Sequence, residues 1–145
     1  MKTFLQLAEV AEYTRTIRAE DIASFAAISG DDDPVHTDPA FAARTAFGRC
    51  IAHGAHVMGL LSTTASMMSR RSVARGATGT PVSAGYDRIR FTRPVFAGDT
   101  LTARYVIAEV DDAAAGGAHQ LDGVTQEAVG RGAAPLRVGR REVLA

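Results

Sequence analysis

The chain has one cysteine, no asparagine, no net charge and no long apolar run. A lone thiol, Cys50, cannot close an internal disulfide. That fits a reducing compartment and excludes a disulfide-stapled scaffold. Sixteen basic residues balance sixteen acidic ones, so no overall field steers the protein toward nucleic acid or an anionic membrane. No segment reaches the roughly 20 apolar residues of a membrane-spanning helix. The opening residues MKTFLQLAEVAEYT place Glu9 and Glu12 where a secretion signal would continue its apolar region, so the expected location is the cytoplasm. No repeat of about twenty to fifty residues is visible, which sets aside solenoids and propellers.

What is present is a globular composition: 145 residues, 46% apolar and 22% charged. One domain spanning 1–145 is expected, because a chain of this length buries roughly 68–70% of its unfolded surface without staples. Thr14, Arg15, Thr16 and Ile17 form a β-branched stretch that reads as an opening strand. Residues 19–29 read as a helix, with Ile22, Phe25, Ala26 and Ser29 on one face, Glu20 and Asp21 in the first turn and Gly30 as its cap. GDDDPVH, residues 30–36, reads as a loop. Asp38 and Pro39 supply an N-cap and a first helical residue for a short helix through Arg44.

Residues 54–69, GAHVMGLLSTTASMMS, are apolar almost all round and predict a buried helix with Arg70 and Arg71 at its negative end. Beyond it the period changes to two. Residues 86–95 and 100–110 predict two half-buried strands, expected to be neighbours, with Ala97-Gly98-Asp99 as the turn between them. A long helix followed by strands is an α+β pattern, a helix against an antiparallel sheet. Residues 113–145 alternate weakly; HQLDGVTQEAV and LRVGRREVL are candidate strands in what otherwise reads as a loosely ordered tail.

Chemistry concentrates in residues 25–62. Asp31 and His36 stand five apart across a proline-containing loop, and a carboxylate beside an imidazole can polarise a water and move its protons near neutral pH. Asp32 and Asp33 add like charge that disfavours full ionisation. His53 and Gly54 open the long helix, where free backbone N–H groups hold developing negative charge and a glycine admits close approach. Taken alone, each feature also reads as a solvated acidic turn and an ordinary helix start.

The order of these features resembles the MaoC-like dehydratases, and especially the R-specific enoyl-CoA hydratases. Ser29-Gly30-Asp31, Pro34-Val35-His36 and Ile51-Ala52-His53-Gly54 fall where that family has its motif, and FTRPVFAGDTL at 91–101 resembles a later family segment. The resemblance covers about residues 20–108. It implies a hot-dog fold, in which an antiparallel sheet wraps the helix at 54–69. It implies a homodimer or dimer of dimers, and an acyl thioester carried on coenzyme A, with no further cofactor and no metal. Carried over by position, Asp31 and His36 fall on the catalytic pair, and Gly54 on the residue whose N–H holds the thioester oxygen. His53, Ser62 and Asp33 fall among the substrate-binding positions. The chain departs from the family at Asp33, where an asparagine is usual, and at His56, where an apolar residue is usual.

The implied reaction adds water to a 2-enoyl-CoA to give a 3-hydroxyacyl-CoA, or the reverse. Four rivals stand beside it. They are a hot-dog acyl-CoA thioesterase, a non-catalytic acyl-CoA-binding protein, a metal hydratase using His36, His53 and His56, and a thiol enzyme using Cys50. Arg70, Arg71 and Arg75, with Arg88, Arg90 and Arg93, form a candidate basic rim for the phosphates of coenzyme A.

Overall fold

The computed structural model describes residues 5–78, 81–87, 89–108, 118–119, 124–127 and 136–144. The opening strand β1, Val10–Thr16, leads into helix α1, Ala19–Ser29. Two single-turn helices follow, α2 at Pro34–Thr37 and α3 at Pro39–Ala42, and then the long helix α4, Gly54–Ala74. Strands β2, Pro81–Asp87, and β3, Thr100–Val106, precede β4, Ala118–His119, β5, Val124–Glu127, and β6, Leu136–Leu144. All strand pairs are antiparallel, in the order β1-β3-β5-β6-β2, with β4 also paired to β6. A long helix packed on such a sheet is the hot-dog arrangement the sequence led us to expect.

β1 and β3 form the frame beneath α4. Val10 pairs with Val106 and Thr16 with Thr100 in unbroken register. On one face the ladder carries polar rungs, Thr14 Oγ1 to Thr102 Oγ1 and Thr16 Oγ1 to Thr100 Oγ1, both at 2.8 Å. On the other, Leu101, Ala103, Tyr105 and Ile107 are buried with Ala11 and Ile17. The period-two pattern of residues 100–107 thus marks one covered face and one open one. Against the covered face α4 sets Val57, Leu60, Leu61, Ala65 and Met68, at spacings that keep them on a single stripe.

Four expectations change. The long helix is not buried all round: Ala55, Gly59, Ser62 and Ser66 face outward, and only the stripe toward the sheet is enclosed. The strand expected at 86–95 lies instead at Pro81–Asp87, and residues 89–95 run outside any ladder up to a single bridge between Phe96 and Ile51. β2 and β3 are not neighbours, because β5 and β6 stand between them. The stretch read as a loose tail contains β4, β5 and β6, and the LRVGRREVL segment is β6 in full. Among the described residues no helix is long and apolar enough to cross a membrane.

Candidate active site

The site is built where α1 ends and α4 begins. Gly30 stops α1 in the left-handed region, φ 78°, and its N–H closes the helix on the Ala26 carbonyl at 2.9 Å. The chain then turns through the three aspartates, which do different work. Asp33 is the N-cap of α2, its carboxylate accepting the Val35 N–H at 2.9 Å, and Pro34 fills the first helical position. GDDDPVH is therefore partly helical rather than all loop. Thr37 Oγ1 donates back to the Asp32 and Asp33 carbonyls at 3.0 and 3.2 Å and closes the turn. Asp33 thus has a structural task, and among the described residues no hydrogen bond occupies the Asp31 carboxylate.

α2 carries His36 toward the segment before α4. His36 Nδ1 lies 2.7 Å from the Ile51 carbonyl, which can only accept, so Nδ1 carries a proton and in the neutral ring Nε2 presents its lone pair. The Ile51 N–H returns a bond to the Val35 carbonyl at 3.2 Å, and the Ala52 N–H bonds Val95 O at 2.7 Å. These bonds seat the strand-like segment before α4 between α2 and the residues that follow β2. His53 then takes the N-cap position without a side-chain cap bond, and Gly54 opens the helix. The N–H groups of that first turn have no partner within the helix. A methyl group on Gly54 would stand 2.6 Å from the Phe91 ring, so glycine is what lets Phe91 lie against the helix start.

The outcome is convergence. A carboxylate oxygen of Asp31 and one ring nitrogen each of His36 and His53 lie within 4.8 Å of one another. The His36 and His53 rings stack, with centroids 3.7 Å apart and planes 28° apart. Phe25 of α1 lies 4.9 Å from the His53 ring and stacks on His56 at 5.5 Å.

The other expected participants fall elsewhere. His56 does not complete a three-histidine metal set; Asp31 joins His36 and His53 in its place. Two stacked imidazoles direct their in-plane lone pairs along near-parallel planes, so one of them must turn before both can reach a single ion. Burial holds His56 below the usual histidine range, partly opposed by the nearby Asp21 carboxylate. Ser62 stands on the outward face of α4, two turns past Gly54, and among the described residues no hydrogen bond ties it to Asp31 or His36. Cys50 is half-buried and lies outside the cluster. The candidate basic rim is described only in part. Arg71 and Arg75 bind Glu9 at the far end of α4, Arg88 lies outside the described residues, and Arg90 is exposed beside Phe91. Sequence reasoning missed Phe91 as a neighbour of Gly54. Its only signal was membership of the FTRPVFAGDTL segment.

A carboxylate and an imidazole stand at the open end of a long helix packed on an antiparallel sheet, and that arrangement defines a class: a hot-dog protein. Residues 6–127 match the family model described as MaoC like domain. The chain is 37% identical over 99 residues to the (R)-specific enoyl-CoA hydratase of Aeromonas caviae, with 68% of each chain covered. It is 34% identical over 96 residues to the 3-hydroxybutyryl-CoA dehydratase of Methylorubrum extorquens, covering 66% of this chain and 56% of that protein. The solved structure of the unliganded R-hydratase PhaJ1 from Pseudomonas aeruginosa is similar at a TM-score of 0.73 and 31% identity, over 97% of this chain and 82% of that one. The chain belongs to the MaoC-like dehydratase family.

Proposed function

We propose that the chain adds water to a 2-enoyl-CoA to give a 3-hydroxyacyl-CoA, and catalyses the reverse dehydration, with Asp31 and His36 as the acid–base pair. The observation that carries this reading is the convergence of the Asp31 carboxylate and the His36 imidazole within 4.8 Å, next to the open N-terminus of α4. The thioester carbonyl accepts from the Gly54 N–H. Negative charge grows on that oxygen as the enolate forms, so the contact strengthens in the transition state. Neutral His36, its Nδ1–H bonded to Ile51, has Nε2 unprotonated and ready to take a proton from water, while Asp31 holds that water. The water oxygen bonds to Cβ, the π electrons move to Cα and the thioester oxygen, and a proton reaches Cα. In dehydration each transfer reverses. The reaction needs no cofactor beyond the coenzyme A of the substrate, and the working form is a homodimer or dimer of dimers, which mass in solution checks.

The test is loss of enoyl absorbance when the protein meets a short trans-2-enoyl-CoA. Asp31→Asn and His36→Ala are each expected to lower the rate about 10²–10⁴-fold while the fold is kept. Hydration that persists in both variants overturns the pair. Release of free thiol instead of loss of the double bond marks a thioesterase, and tight acyl-CoA binding without turnover marks a binding protein.

A further inference from the structure

Resting on that assignment of Asp31 and His36, we infer that His53 is a positioning residue for both members of the pair, holding them without touching substrate. His53 is 2% exposed and occupies the N-cap of α4, where serine, threonine, aspartate or asparagine is favoured for its cap bond. Its side chain makes no such bond. It reaches back across the site, and Nε2 donates to the main-chain carbonyl of Asp31 at 2.9 Å, across 22 positions of sequence. A carbonyl only accepts, so Nε2 carries a proton, and in the neutral ring Nδ1 is a bare lone pair. That Nδ1 is buried without a partner.

An unpaired buried nitrogen and an uncapped helix both cost stability, and a capping serine or aspartate at this position removes both costs. What the imidazole provides in exchange is contact with two separate elements. Its N–H fixes the peptide that carries the Asp31 carboxylate. Its ring face lies on His36 at 3.7 Å. His36 is otherwise held by one ring bond, to Ile51, about which the imidazole can still swing. Bond and stack together leave the Nε2 lone pair one direction. Phe25, 4.9 Å from His53, supports the ring from α1. A site held at two points stays in reacting geometry, and a displacement of about 1 Å costs on the order of a hundredfold in rate.

Two variants separate the two contacts. His53→Gln keeps a donor for the Asp31 carbonyl and loses the ring; His53→Phe keeps a ring against His36 and loses the donor. Each is expected to lower kcat about ten- to a hundredfold with KM within about threefold of the parent, the pattern of lost geometry rather than lost binding. Unchanged kcat in either folded variant overturns the inference, as does a rise in KM with kcat intact, which marks a substrate contact. Nitrogen-15 histidine spectra of the unaltered protein give a readout that depends on no variant folding. His53 is expected as the Nε2–H tautomer, and a proton on Nδ1 overturns the proposed clamp. Asp31→Asn and His36→Ala run beside these. Full hydration in them overturns the catalytic pair itself, whereas their failure beside normal His53 variants overturns only the role of His53.

Discussion

The two ends of α4 are treated in opposite ways. At the C-terminal end two arginines are matched. Arg71 Nη1 donates to the Val10 carbonyl at 2.7 Å, and Arg75 grips Glu9 with two bonds of 2.7 and 2.8 Å. The N–H of Arg75 closes the helix on the Arg71 and Ser72 carbonyls. Positive side chains also suit the negative end of the helix dipole. At the N-terminal end the cap position makes no cap bond, the first-turn N–H groups are open, and two imidazole nitrogens, on His53 and His56, are buried without partners. One end is satisfied and ties the helix to β1. The other, among the described residues, leaves hydrogen-bonding capacity unused. The proposed hydration draws on those unmet groups beside a carboxylate; the met ones fasten the fold.

The contrast can be broken in order of expected effect. The largest is loss of the pair, Asp31→Asn or His36→Ala, which removes activity by orders of magnitude and leaves thermal stability near that of the parent. Next is Gly54→Ala. Its methyl group meets the Phe91 ring, which is 53% exposed and free to swing outward. We expect hydration to fall about tenfold, with part of it returning when Phe91→Leu is added; steady-state kinetics on both variants check this. At the other end, Glu9→Gln is expected to leave kcat unchanged and to lower Tm by a few degrees. Glu9 is held below its usual range chiefly by the Arg75 hydrogen bond. Its stabilisation is therefore full above the ordinary 4.5 and is lost as pH falls through its lowered native value, so the variant flattens the acid limb of a Tm–pH curve. The smallest effect belongs to His56. Burial depresses its protonation in the native state, so stability is complete above the ordinary 6.5 and declines as pH falls below it, where the unfolded chain takes the proton first. His56→Leu is expected to remove that slope between pH 6.5 and the depressed native value, as thermal melts across this range will show.

Local chemistry was the legible part of the sequence. Gly30, and Asp38 with Pro39, act within one turn of themselves, and the structure has the expected caps at both. The start of the long helix at Gly54 was legible for the same reason, because a helix start announces itself in neighbouring residues. The Asp33-Pro34 start of α2 carried the same signal as Asp38-Pro39, but the run of charge around it read as solvated loop. Pairing was not legible. The alternation of Ile89 and Phe91 with their arginine neighbours reads as a half-covered strand, yet Phe91 lies against Gly54 outside any ladder and stays exposed. β2, with its serine and glycine, has weak strand propensity and is made a strand by β6. The outward stripe of α4 looked buried because Ala55 and Gly59 are small and apolar, and residue type does not say which face meets the sheet.

The sheet order sets a timetable for folding. β1, α1 and α4 are close in sequence, and β3 reaches β1 across one long loop. β2 differs: Pro81 finds its ladder partner in Leu144, and this strand leads directly to the segment that brings Phe91 to Gly54. Leu144 lies in the last strand of the chain, β6, whereas β3 is made well before it. During synthesis, therefore, β2 waits for β6 to emerge, and the wall of the site beside Gly54 is set last, after the helix and the pair it serves are in place.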